Sequence, residues 1–145
     1  MPVGNALRSI LVGTAVLVLG AALRAQDVII VANGNVPVAS ITETQLRDIF
    51  TGARTRFENG PRAVPVVLRG GPAHEVFLHR HVGDTPDEFR VRWRKAVFTG
   101  QGSMPREFAT EAELLNYVES TPGAIGYVSR MQGTAGVKTL AIAGR

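Results

Sequence analysis

The chain has 145 residues, 16 of them basic and 12 acidic, for a formal net charge of +4, and it contains no cysteine. Without thiols there are no disulfides, thiolate metal sites, cysteine nucleophile or lipid-modified N-terminal cysteine. Two of the 16 basic residues, Arg8 and Arg24, lie in the first 25 positions, which hold no acid. The remaining 14 against 12 give +2, too even a balance for a concentrated nucleic-acid-binding face.

Arg8 precedes an apolar run from Ile10 to Leu23, followed by Arg24-Ala25-Gln26. Fourteen helical residues span roughly 21 Å, short of the ~30 Å hydrocarbon core. A basic start, a short apolar centre and a small residue at the end read as a secretory signal over residues 1–25, cut after Ala25. An uncleaved membrane anchor is the alternative. Export without disulfides suits a bacterial periplasm. Residues 26–145 then form one domain, whose stability must come from its core.

Val28 to Ala32 is a buried-strand run bounded by Asn33-Gly34-Asn35. Thr42-Glu-Thr-Gln45 is a capping box opening a short helix, with Leu46, Ile49 and Phe50 on one face and Gly52 near its end. Residues 53–63, with Asn59-Gly60-Pro61, read as loop. Val64 to Leu68 is almost entirely apolar and reads as a central strand. Gly70-Gly71-Pro72 turns the chain into a helix with Pro72 at its first position and Val76, Phe77, Leu78 and Val82 on the core side.

Thr85, Pro86 and Glu88 make a second capping box, and Phe89, Trp93 and Val97 recur as the buried stripe of the helix it opens. Residues 100–105 are loop. Thr110-Glu-Ala-Glu113 reads as a third capping box, starting a helix through Ala112, Leu115 and Val118 that Pro122-Gly123 ends. Ile125-Gly-Tyr-Val128 reads as a buried strand with a glycine where something approaches closely, and Val137 to Ile142 as the last strand. Alternating strands and helices predict an α/β fold with a mostly parallel or mixed sheet flanked by helices.

The strongest candidate site is Arg69-Gly70-Gly71-Pro72-Ala73-His74, where an apolar strand runs into a helix. Open α/β sheets bind ligands at that edge. Arg69 suits two oxygens of a phosphate or carboxylate. Gly70, Gly71 and Ala73 supply a cradle of close backbone amides, and His74 an accessory donor, stronger when protonated. A plain tight turn, with Arg69 paired to a surface carboxylate, is the competing reading.

His74, His79 and His81, with Glu75, invite a metal, but no His-Glu-x-x-His motif is present and a solvated helix face explains them. No metal or cofactor is expected. Arg90, Arg92, Arg94 and Lys95 around Trp93 read as a solvated face or a patch for an acidic partner or lipid headgroup. Ser103, Ser120 and Ser129 lie in no nucleophile context, and Glu111 and Glu113 point to different faces, so no enzyme is expected.

Pro122-Gly-Ala-Ile-Gly-Tyr-Val128 resembles the phosphate-binding protein of bacterial phosphate ABC transporters. So do Leu46-Arg-Asp-Ile-Phe-Thr-Gly52, Val64-Pro-Val-Val-Leu-Arg69, and Phe98-Thr-Gly100 with Gly102, in the same order along Thr42 to Arg130, 89 residues. The resemblance implies one lobe of a type II periplasmic binding protein-like fold that takes phosphate or a similar oxyanion, with Arg69 in the position of the family's gripping arginine. The acid and the Ser-Gly-Thr hydroxyls that follow that arginine in the family are absent here, so the grip is expected to be weak. The rival expectation is a protein-interaction module of the envelope, docking on a partner or on a second copy, that kept the fold without the ligand.

Overall fold

The computed structural model describes residues 27–133 and 135–144, so the expected signal at 1–25 lies outside the described residues. The elements follow in the order β1 (Ile29–Asn33), β2 (Ser40–Ile41), α1 (Glu43–Thr51), β3 (Val64–Leu68) and α2 (Pro72–Phe77). A π-helical turn at Leu78–Val82 extends α2; then come α3 (Pro86–Phe98), β4 (Arg106–Phe108), α4 (Glu111–Ser120), β5 (Ala124–Val128) and β6 (Val137–Ile142).

All six strands join one mixed sheet in the order β2-β6-β1-β5-β3-β4. β3 runs parallel to β4 and β5, and β2 parallel to β6. β1 lies antiparallel between β5 and β6. The arrangement is that of a single lobe of a periplasmic-binding-protein-like fold. β3 is interior but only one place from the edge, because β4 covers its outer side.

The helices lie on both faces of the sheet, as the alternation of β5 shows. Successive strand residues point to opposite faces. Tyr127 stacks on Phe77 of α2 at 4.0 Å, and Phe77 meets Phe50 of α1 edge-on at 4.7 Å. On the other face, any side chain at Gly126 would come within 3.0 Å of Leu114 of α4 and of Val66. The glycine therefore lets α4 close onto the sheet. Gly123, with φ +77°, makes the turn into β5, and a Cβ there would lie 2.1 Å from the Arg62 carbonyl oxygen.

Two capping boxes form in full, at Thr42/Gln45 and Thr85/Glu88. The third forms only in its forward half: the Glu113 amide donates to the Thr110 hydroxyl at 3.2 Å. At its far end α4 is closed from β1, where Asn33 Nδ2 donates to the carbonyls of Val118 and Glu119 at 2.8 and 2.9 Å. These are carbonyls a helix cannot satisfy internally.

The stripe on α3 differs from the expected one. Phe89 and Trp93 are buried, but Val97 is 46% exposed and Ala96 is half-buried in its place. At 100° per residue, eight positions carry Val97 about 80° round from Phe89, while seven bring Ala96 back to within about 20°. Among the described residues, no helix is long and apolar enough to cross a membrane.

Candidate functional site

The carboxyl end of β3 leads directly into the Arg69 loop. The Arg69 amide still donates to the Phe108 carbonyl of β4 at 2.8 Å, so the backbone is anchored where the side chain leaves the sheet. That side chain is exposed and forms no ion pair with any described carboxylate. Gly70 and Gly71 are also exposed, with nothing within 4 Å of the positions their Cβ atoms would take. Gly71 has φ +96°, a conformation that suits glycine, and Pro72 follows at the first helical position.

A depression of about 310 Å³ opens here, lined by Gly70, Gly71 and Ala73 on one side and by Glu111 and Ser129 on the other. Arg69 stands beside it rather than in its wall. The Glu111 carboxylate accepts from the Ser129 amide at 2.5 Å and from the Ser129 hydroxyl at 3.0 Å. This ties the start of α4 to the end of β5 and puts a negative charge in the wall.

His74 does not join the loop, contrary to its expected role as an accessory donor. It is buried at 4% exposure, with Nδ1 2.5 Å from the Tyr127 hydroxyl. That hydroxyl accepts from the Leu68 amide at 2.9 Å, so its own proton points to His74. Burial is the main cause of a lowered His74 pKa, with the Arg90 charge second. The ring is therefore neutral, and Nδ1 is an acceptor. Burial also pushes the Tyr127 hydroxyl well above its ordinary value. The chain Leu68 N–H to Tyr127 O–H to His74 is a closed support beneath the loop, and its physical role is to hold α2 against the sheet.

The other histidines also part company. His81 is buried against Glu43, with Nδ1 3.1 Å from Oε2, and only His79 is exposed. The solvated face expected for all three is correct only for His79. Among the described residues, no three His, Asp or Glu side chains converge to hold a metal ion.

The basic cluster on α3 is partly neutralised. Arg92 forks onto the buried Asp84 at 2.8 and 2.9 Å, a bond that raises the arginine's pKa, and Arg90 pairs with Asp87 at 3.6 Å. Glu111, Ser129 and Tyr127 are the site residues the sequence reading did not assign. Glu111 and Glu113 point to different helix faces and form no carboxylate pair; the partner of Glu111 is a serine eighteen residues away, across the α4–β5 turn.

No family model matches the chain. No curated protein matches it either. Solved structures do. One is a protein from Clostridium perfringens described as a phosphate ABC transporter substrate-binding protein, with bound phosphate. It is 22% identical, with a TM-score of 0.57 over 78% of this chain and 43% of its own. An ABC-type phosphate transport receptor from Vibrio cholerae is 19% identical, with a TM-score of 0.55 over 78% of this chain and 44% of its own. PstS from Borrelia burgdorferi is 16% identical, with a TM-score of 0.52 over 79% and 46%. At these identities the likeness shows the fold alone. The chain spans less than half the length of each of the three.

Proposed function

We propose that this chain is an exported, solute-binding-like lobe that takes phosphate or a similar small oxyanion weakly at the Arg69 loop. The observation that carries the reading is the exposed Arg69 guanidinium, without a carboxylate partner among the described residues, beside the open backbone of Gly70 and Gly71. The guanidinium supplies two parallel donors for two oxygens. The loop amides and that of Ala73 supply the rest. The likeness to three phosphate-transport proteins supports the same ligand class. The leader expected at 1–25 supports a place in the bacterial envelope.

The affinity is low for a physical reason. One arginine and two or three amides on an open surface act in high dielectric, where each charge-assisted bond yields less than its ~1.5–3 kcal/mol. A Kd of about 0.1–10 mM follows. Glu111 adds a selection rule. A carboxylate in the wall tolerates an oxyanion that still has a proton to donate and repels one that does not. Hydrogen phosphate is therefore favoured over sulfate. Calorimetric titration of both anions, with Arg69→Gln alongside, tests the reading. Saturable phosphate binding that the substitution removes supports it, and silence from phosphate rejects it.

A second reading, an interaction module of the envelope, has one observation in its favour. Phe98, at the end of α3, is 92% exposed, and Val91 and Val97 on the same helix are exposed as well. Large aromatic side chains in the open mark contact surfaces more often than single aliphatic ones. If a second copy covers this end, sedimentation shows a dimer that Phe98→Ser dissolves. A concentration-independent monomer rejects self-association.

A further inference from the structure

The opposite edge of the sheet holds a second, more basic depression. β3, β4 and β5 are parallel, so the Arg69 loop leaves their carboxyl ends while Val64, Arg106 and Ala124 begin the three strands at the other edge. A groove of about 290 Å³ lies against the start of β3 and β4, between the segment after α1 and the loop joining α3 to β4. Arg54, Arg62 and Arg106 line it, and no carboxylate does. None of the three guanidiniums forms an ion pair with a described residue. Three unpaired cations around one cavity repel each other, and an anion between them relieves that repulsion.

The arginines are also presented rather than merely near. Arg106 lies over the rings of Phe108 and Tyr117, at 5.5 and 5.0 Å, which holds its planar fork at the groove. Arg54 is half-buried, and its amide is fixed to the Asp48 carbonyl at 3.0 Å. The hydroxyl residues Thr55 and Ser103 line the same cavity. The Gln101 amide lines it too, and Ile49, Trp93, Met104 and Tyr117 supply apolar and aromatic surface. Trp93 is held in place by its indole N–H, which donates to the Phe50 carbonyl at 2.9 Å. A cavity at the small end of the ligand-pocket range, with convergent polar groups on an apolar lining, is the form small-molecule sites take.

From this we infer that the groove binds a small organic anion whose phosphate or carboxylate meets Arg54, Arg62 and Arg106 while an apolar body about the size of one aromatic ring packs on Met104 and Tyr117, next to the buried Trp93. The site is separate from the Arg69 loop and stands whether or not that loop binds phosphate.

Trp93 is the only tryptophan in the sequence, so its fluorescence reports on this groove. Phenyl phosphate and benzoate are the probes, with inorganic phosphate (charge without body) and phenol (body without charge) as controls. The expected result is a saturable change in Trp93 emission with phenyl phosphate or benzoate, at an affinity at least about tenfold above either control, since both parts of the site contribute. The stronger of the two probes identifies the acid group. Arg62→Gln and Arg106→Gln, both at exposed positions, should each weaken binding by about tenfold. Arg69→Gln should leave it unchanged. Circular dichroism of the variants confirms that they fold. No saturable change up to about 10 mM probe, or full binding by the folded Arg62→Gln/Arg106→Gln double variant, overturns the proposal.

Discussion

The Arg69 loop and the layer directly beneath it are built on opposite principles. Beneath, Tyr127, His74 and Phe77 are each no more than 4% exposed, and the Tyr127 hydroxyl is spent on His74 Nδ1 and the Leu68 amide. Above, Arg69, Gly70 and Gly71 are exposed and the arginine has no described ionic partner. Packing and closed hydrogen bonds fix where the loop stands, and the loop keeps its donors for something else. A residue's worth to stability and its worth to binding should therefore separate cleanly across this boundary.

Three experiments break or sharpen that contrast. Phe77→Ala removes the ring between Phe50 and Tyr127 and is expected to cost about 3–5 kcal/mol in urea denaturation. A small loss would mean the platform is held by something other than this stack. The next effect is a pH dependence. His74 titrates below its ordinary 6.5 in the folded chain, so under acid conditions the unfolded chain binds the extra proton first. Stability is then fully present above about pH 6.5 and declines as the pH falls toward the folded value. Denaturation midpoints at pH 7.5 and 5 should show this fall, and His74→Gln should flatten the part due to this residue. The smallest effect on stability belongs to Arg69→Gln, expected within about 0.5 kcal/mol of the parent because nothing described leans on that side chain.

Much of this contrast was legible in the sequence, and the parts that were not have common causes. Thr42/Gln45 and Thr85/Glu88 were readable because a capping box is a local code, complete within four residues. Gly126 was readable as a point of close approach, although only the fold identifies Leu114 as the side chain that approaches. β4 was missed because Arg106-Glu107-Phe108 is too short to show alternation and exists by pairing with β3. The burial of His74 was hidden because its partner, Tyr127, is 53 residues away and belongs to a strand three elements beyond the next helix. Glu111 was hidden for the same reason: its meaning depends on Ser129 and on the loop across from it. Local signals give elements, while site chemistry here is made by contacts distant in sequence.

The central claim is that the loop's donors are kept for an oxyanion, and calorimetric titration of phosphate into the parent chain and Arg69→Gln tests it most directly. The account predicts saturable binding with a Kd of about 0.1–10 mM in the parent, lost in a variant whose stability is unchanged. Absence of binding up to roughly 50 mM, or equal binding by the two chains, would contradict it.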